Sequence, residues 1–130
     1  MLPEQFCVRM KEMLGEEYAA FYASYDLPKY QALRINPLKT ERDTFLQQAP
    51  FPLNRVPWTT NGYYYSGNDQ PGRHPYHEAG VYYIQEPSAM APAEYLMAEA
   101  GERILDLCAA PGGKSTQIAC SMQGEGLIVC

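Results

Sequence analysis

The sequence predicts an α+β segment over residues 1–78, followed by the start of an α/β domain over residues 79–130. Three observations point there. Residues 1–78 mix helical periodicity with short strands and the turn pair Asn61-Gly62. From Ala79 onward strands and helices alternate, as they do around a parallel sheet. Residues 103–130 then read as a strand, a loop of small residues, a helix and a strand, which is one βαβ unit.

The elements follow in order. Residues 2–14 carry Phe6, Met10, Met13 and Leu14 at i, i+4, i+7 and i+8, a helical spacing, with Pro3 suited to a first helical position. Gly15 ends or bends that helix. Residues 16–25 give a second helix with Tyr18, Phe21, Tyr22 and Tyr25 on one face. "ALRINPLK" (32–39) is a short strand in which Leu33 and Ile35 alternate inward, closed by Asn36-Pro37. Thr40, with Asp43 three residues on, is placed to cap a short helix reaching about Gln48. Residues 50–67 give two strand-like pieces around Asn61-Gly62, and residues 68–75 form a polar loop. "GVYYIQ" (80–85) is a strand. A helix capped by Ser88 runs to about Glu99, with Pro92 tolerated in its first turn. "GERILDLCA" (101–109) is a turn and a strand, residues 114–122 are helical, and Gly124 and Gly126 bracket the return to "LIVC" (127–130). A parallel sheet does not stop after two strands, because its faces would stay uncovered. The chain is therefore expected to be a fragment cut inside a larger α/β domain.

Composition is that of a globular protein, 46% hydrophobic and 19% charged. No apolar run approaches the ~18 residues that span a bilayer, and the start lacks the basic-then-apolar order of a signal peptide. No membrane association is expected, and a cytoplasmic location is. Cys7, Cys108, Cys120 and Cys130 have no paired spacing, which predicts free thiols, buried at Cys7 and Cys120. The net charge of −5 is uneven: −3 over residues 1–28, +2 over 29–80 and −4 over 81–130. Nucleic-acid contact is expected in the middle third, and the acidic total argues against strong RNA binding by this chain alone.

The stretch "ILDLCAAPGGKSTQ" (104–117) carries the chemistry. A strand delivers Asp106 at its C-terminal end, small residues follow, and a helix starts near Lys114. Ligands of open α/β sheets bind at such strand ends, where glycines permit close approach and the helix N-terminus offers free N–H groups. Gly113-Lys114-Ser115 match the end of a phosphate-binding P-loop, which predicts a nucleotide-binding ATPase. However, Cys108 stands where the first P-loop glycine belongs, and Pro111 removes one N–H. Asp106, Cys108, Ala110 and Gly112 also fit an acidic residue followed by small residues at alternate positions, the first motif of S-adenosylmethionine-dependent methyltransferases. A plain structural turn in a non-catalytic packing or RNA-binding module is the third reading.

A resemblance bears on this choice. "YYIQEPSAM" (82–90) followed by "LDLCAAPGGKSTQIA" (105–119) resembles the RsmF-type branch of the Sun family of RNA (cytosine-5) methyltransferases. "LRINPLK" (33–39) and "HPYHEAG" (74–80) are also similar to that family, so the resemblance covers essentially the whole chain. It implies a Rossmann-like methyltransferase domain, truncated here, preceded by a small α+β domain that helps hold RNA. It implies that Cys108, Ala109, Ala110, Pro111, Gly112, Gly113 and Lys114 bind S-adenosylmethionine. Family members act mostly on ribosomal RNA, here expected to be of the small subunit, and some on transfer RNA. The family's later acidic contact to the cofactor ribose and its two catalytic cysteines have no counterpart in these residues. The resemblance thus assigns no catalytic residue here, and Cys108 is a cofactor-loop residue rather than the nucleophile.

Other features have plainer readings. His74 and His77 lack enough partners for zinc, so no metal is expected. Tyr63, Tyr64, Tyr65, Tyr82 and Tyr83 can stack bases, but alternating strand tyrosines more often pack in a core. Lys29, Arg34, Lys39, Arg42, Arg55 and Arg73 form either a phosphate-binding face or ordinary solvated charge, and the sequence leaves both open. The acidic helices are expected to be a solvated face.

Overall fold

The computed structural model describes residues 2–130. It opens with two helices, α1 (Glu4–Leu14) and α2 (Tyr18–Ser24), joined through a 3-10 turn at Gly15–Glu17. Pro3 is the N-cap of α1 rather than its first helical residue. The rings of Phe6, Tyr18, Phe21, Tyr22 and Tyr25 pack on one another at centroid separations of 5.3 to 6.5 Å. Such pairs each add about 0.5–1.5 kcal/mol beyond area burial. Neither helix contains a fully buried residue. Met13, expected on the apolar face of α1, is 66% exposed, because the aromatic contacts of α2 fall near Phe6 instead.

The centre of the molecule is a four-stranded antiparallel sheet of β1 (Gln31–Ile35), β2 (Asn54–Arg55), β3 (Gly62–Tyr65) and β4 (Tyr82–Ile84), in the order β2-β3-β1-β4. The sequence pattern places only Leu33 and Ile35 of β1 inward. In fact Ala32, Leu33, Arg34 and Ile35 are all buried. A central strand covered on both faces loses the apolar–polar alternation of a half-exposed one. One face packs Leu33, Ile35, Tyr63 and Tyr82 against Phe51 and against Phe45 of α3 (Arg42–Gln48). The other face packs Ala32 against Val56 and Met90. Burial of each large apolar side chain contributes about 1.5–3 kcal/mol.

Two local expectations are corrected. Thr40 does not cap α3: the N-cap is Glu41, without a side-chain bond, and the Thr40 hydroxyl donates to Glu41 O at 3.3 Å. The preceding turn is organised by Asn36, whose Oδ1 accepts the Leu38 N–H at 3.0 Å. Asn61-Gly62 is not a two-residue hairpin turn. Gly62 already belongs to β3, and residues 56–61 form a longer loop anchored by tertiary contacts. There the Trp58 indole donates to Pro87 O at 2.9 Å, and the Thr59 hydroxyl donates to Glu94 Oε1.

The largest correction concerns β4. The sequence pattern assigns it to the unit beginning at residue 79, but β4 pairs antiparallel with β1, matching Arg34 with Tyr83 and Ile35 with Tyr82. The four-stranded sheet therefore extends to Ile84. After it, Ser88–Met90 wind as a 3-10 turn into α5 (Ala91–Leu96). Pro92 has no N–H to close an α-helical bond to Ser88, so the single helix expected from Ser88 starts tight and late. It also stops early, at Met97, whose φ is +51°. Ser88 is not its cap. Instead the Glu86 carboxylate accepts the Ala89 N–H at 2.9 Å and the Ser88 hydroxyl.

The expected βαβ unit follows: β5 (Arg103–Leu105), α6 (Gly113–Ser121) and β6 (Leu127–Val129). β5 and β6 are parallel, with Ile104 opposite Ile128. Its core is small, built from Ala93, Ala98, Ile118 and Met122 with Ile104 and Ile128. Leu105 (63%), Leu107 (84%) and Val129 (50%) are exposed. An α+β unit leading into a βαβ unit is the fold class that the sequence predicted.

Candidate functional site

The loop between β5 and α6 starts with Asp106, whose two oxygens organise it. Oδ1 accepts the Cys108 N–H at 2.9 Å and Oδ2 accepts the Ser115 hydroxyl at 2.6 Å. The Ser115 bond, the Cys108 N–H and nearby Lys114 together hold this carboxyl below its ordinary pKa, so it is ionised at neutral pH. A carboxylate has about four acceptor positions, and two stay open.

Ala109 and Pro111 contribute carbonyls, to the Gly112 N–H at 2.6 Å and the Tyr83 hydroxyl at 3.4 Å. Gly112 turns the chain into α6 with φ of +109°, which side chains rarely adopt. The first helical hydrogen bond of α6 runs from the Thr116 N–H to Gly112 O at 2.9 Å. The N–H groups of Gly113, Lys114 and Ser115 precede it and have no partner within the helix. A cleft of about 260 Å³ runs along this side, lined by Asp106, Leu107, Cys108 and Lys114 with Pro92, Leu96 and Ile104. Cys108, Ala110 and Pro111 are exposed. All seven residues expected in the cofactor site thus lie on one loop and the first turn of one helix. Among the described residues no cluster of metal-ligating side chains occurs.

The other side of α6 faces the sheet across a cleft of about 390 Å³ lined by Arg34, Asn61, Glu94, Gln117 and Cys120, and the sequence carries no clear signal of the contacts made there. Arg34, a candidate for a phosphate-binding face, is instead 3% exposed, and its guanidinium donates to Gln85 Oε1 at 3.0 Å and Thr116 Oγ1 at 2.9 Å. Gln85 Nε2 in turn donates to Ala89 O at 3.1 Å and Gln117 Oε1 at 3.3 Å, and Gln117 Nε2 donates to Met90 O at 3.0 Å and Glu94 Oε1 at 3.2 Å. This buried chain of polar groups joins the four-stranded sheet to α5 and α6. Arg34, Gln85 and Gln117 are ordinary polar residues by type. The sequence shows only that Arg34 sits between two apolar strand positions.

The remaining candidates divide. Lys39 donates to Ala79 O at 2.6 Å and Arg42 pairs with Asp43 at 3.0 Å, while Lys29, Arg55 and Arg73 are exposed. Tyr63 and Tyr82 are buried as expected, whereas Tyr64, Tyr65 and Tyr83 are less completely covered. His74 Nδ1 accepts the Tyr76 N–H at 3.2 Å as the cap of α4 (Pro75–Glu78), and the His77 ring stacks on Tyr82 at 6.0 Å. All four cysteines are free, and Cys7 and Cys120 are half-buried rather than buried.

The family description "N-terminal domain of 16S rRNA methyltransferase RsmF" matches residues 2–87, and "16S rRNA methyltransferase RsmB/F" matches residues 93–130. The chain belongs to the RsmF family. Relatives named ribosomal RNA small subunit methyltransferase F are 34% identical in Photobacterium profundum and 38% identical in Cronobacter sakazakii, each over 98% of this chain. The chain spans 29% of the length of those two proteins. Among solved structures, a methyltransferase homolog protein from Pyrococcus horikoshii superposes with a TM-score of 0.78 at 30% identity, over 98% of this chain and 43% of that one. NSun6 from Pyrococcus horikoshii with SFG superposes with a TM-score of 0.79 over 97% of this chain and 57% of that one. Its 16% identity makes it a likeness of fold alone. The N-terminal match ends at residue 87, just past β4 and the end of the sheet.

Proposed function

We infer that these residues form the RNA-holding sheet and first cofactor motif of a cytoplasmic RNA (cytosine-5) methyltransferase that takes small-subunit ribosomal RNA as substrate. The dividing line between the two units is drawn near residue 87, since β4 belongs to the sheet. The observation that carries the ligand assignment is the ionised Asp106 at the end of β5, beside the first N–H groups of α6, which have no partner within the helix. A sulfonium amino acid presents an ammonium for such a carboxylate and a carboxylate for such N–H groups. A triphosphate would meet repulsion from Asp106 and would lack the N–H that Pro111 cannot give.

Asp106 orients the loop through Cys108 and Ser115 and keeps two acceptor positions for the ligand. Gly113, Lys114 and Ser115 would hold the methionine carboxylate, and Cys108 through Gly112 would pass along the ligand close to the backbone. When bound, S-adenosylmethionine supplies an electrophilic methyl group. Exposed Lys29, Arg55 and Arg73, with Tyr30 packed at a tilt on Tyr64 at a centroid separation of 5.8 Å, would contact the RNA backbone and bases. Nucleophilic activation of cytosine would be done by residues outside these 130.

The test is methyl transfer from labelled S-adenosylmethionine to ribosomal RNA by a protein of the relatives' length that carries this chain. Label is expected in 5-methylcytosine, and the 130-residue chain alone is expected to transfer none. Label in a different nucleoside would reject the cytosine assignment. Magnesium-dependent ATP binding with no response to S-adenosylmethionine would reject the cofactor.

A further inference from the structure

Arg34 lies within β1, one residue from its end, yet its guanidinium leaves the sheet and reaches the first turns of α6. Nε donates to Gln85 Oε1 at 3.0 Å, Nη2 to Thr116 Oγ1 at 2.9 Å and to Gly113 O at 3.4 Å, and Nη1 to Cys120 Sγ at 3.7 Å. Positions 113, 116 and 120 share one face of α6, at i, i+3 and i+7. Among the described residues no carboxylate lies within ion-pair distance of Arg34. A buried cation without a carboxylate is costly, and an unbranched apolar side chain would fill the space with less desolvation. What arginine alone supplies is a planar fork whose N–H groups diverge toward several acceptors.

A second observation points to the same place. Gly113 is the first residue of α6, and a Cβ built there would stand 3.3 Å from Gln85 Nε2 and 3.5 Å from the Tyr83 ring. Arg34, Tyr83 and Gln85 therefore grip the start of α6 from the sheet side. The loop before it runs from Asp106, Leu107 and Cys108, which line the cleft on the other side, to Pro111, whose carbonyl accepts from the Tyr83 hydroxyl at 3.4 Å.

We propose that Arg34 is a positioning residue, which clamps the first turns of α6 to the sheet and so makes the conformation of the ligand loop depend on the N-terminal unit. Its bearing on methyl transfer rests on the cofactor reading above; the clamp itself does not. The consequence is one-directional support: the sheet can form without the loop, but the loop is held only when the sheet is in place.

Hydrogen exchange in the 130-residue chain tests this. The Thr116 and Met122 amides, bonded to Gly112 O and Ile118 O, report α6, and the Ile35 and Val56 amides, bonded to Asn61 O and Gly62 O, report the sheet. In Arg34→Met the α6 amides are expected to exchange about tenfold faster, the effect of losing one hydrogen bond to a charged group, with the sheet amides within about twofold. Arg34→Lys is expected not to rescue, because one ammonium cannot reach Gln85, Gly113 and Thr116 together. Equal acceleration in sheet and helix, no acceleration at all, or rescue by lysine would overturn the proposal. Should Arg34→Met not fold, Thr116→Val decides. It removes the acceptor of Arg34 Nη2 together with the hydroxyl's own bond to Gly112 O, leaves the sheet untouched, and unchanged α6 exchange there would overturn the proposal. Titration of the wild type with S-adenosylmethionine is read separately. Silence there, with the exchange pattern as expected, removes the cofactor reading and leaves the clamp. Binding there, with no selective effect of Arg34→Met, removes the clamp and leaves the cofactor.

Discussion

The two halves of this chain are stabilised differently. The four-stranded sheet packs Leu33, Ile35, Phe45, Tyr63 and Tyr82 into one core, with β1 covered on both faces. The βαβ unit rests on two alanines, Ile118 and Met122, and leaves Leu105, Leu107 and Val129 in solvent. The sheet makes its own interior, whereas the βαβ unit borrows order through the polar chain from Arg34 to Glu94. That difference suits the roles proposed for them: a rigid mount, and a loop that a ligand would complete.

The strongest test of the contrast is core truncation. Leu33→Ala is expected to cost about 3–5 kcal/mol and Ile118→Ala about 2 kcal/mol, because the thinner core can collapse around the smaller side chain. Urea unfolding measures both. In Leu33→Ala, probes on α6 should melt together with the sheet, while in Ile118→Ala the sheet should outlast α6. A sheet that melts with α6 in Ile118→Ala would break the comparison.

Two adjacent glycines sharpen it. Gly113→Val presses on Gln85 and Tyr83 and should cost about 1–3 kcal/mol through overpacking, loosening the docking of α6 on the sheet. A Cβ placed on Gly112 would meet no atom within 4 Å, but φ there is +109°, so Gly112→Ala should cost about 1–3 kcal/mol through backbone strain confined to the loop. Amide chemical shifts separate the two: changes across Tyr83, Gln85 and α6 in the first, and near residues 108–113 in the second.

Smaller effects follow from the polar groups. Thr59→Val removes one donor to Glu94 and should cost about 1 kcal/mol in thermal melts. Ser115→Ala should change stability least and the titration of Asp106 most. The folded carboxyl is held below its ordinary value, so its contribution is present above the unfolded pKa and is lost as pH falls through the lower folded one. Without the Ser115 hydroxyl the folded midpoint should rise toward the ordinary carboxylate range, as read from carboxyl carbon shifts. A midpoint unmoved by Ser115→Ala would mean that the Cys108 N–H and Lys114 hold Asp106 without the hydroxyl.

The legible parts of the fold were those set by local pattern. The turn of small residues after "ILDL" and the return at Gly124 and Gly126 marked the βαβ unit, the apolar spacing of Phe6, Met10, Met13 and Leu14 marked α1, and the aromatic spacing marked α2. Long-range pairing was not legible. "GVYYIQ" reads equally well as the first strand of a parallel sheet or an added strand of an antiparallel one, because both are short apolar runs. Local rules also misplaced Thr40 and Asn61-Gly62, where the Asn36 turn and the Trp58 and Thr59 anchors prevail over capping and hairpin propensity. In the candidate site the loop residues were readable because they are contiguous. The Arg34 clamp was not, since its partners lie 51 and 82 positions away and nothing local distinguishes a buried arginine from a solvated one.

The most direct measurement of the central claim is an amide-resolved NMR titration of the 130-residue chain with S-adenosylmethionine and, separately, with ATP and magnesium. The account predicts weak, saturable shifts from S-adenosylmethionine at residues 106–115, small shifts carried into Tyr83 and Gln85, and none at Phe45 or Phe51. Shifts at the loop from ATP and magnesium, with S-adenosylmethionine leaving residues 106–115 unmoved, would contradict it.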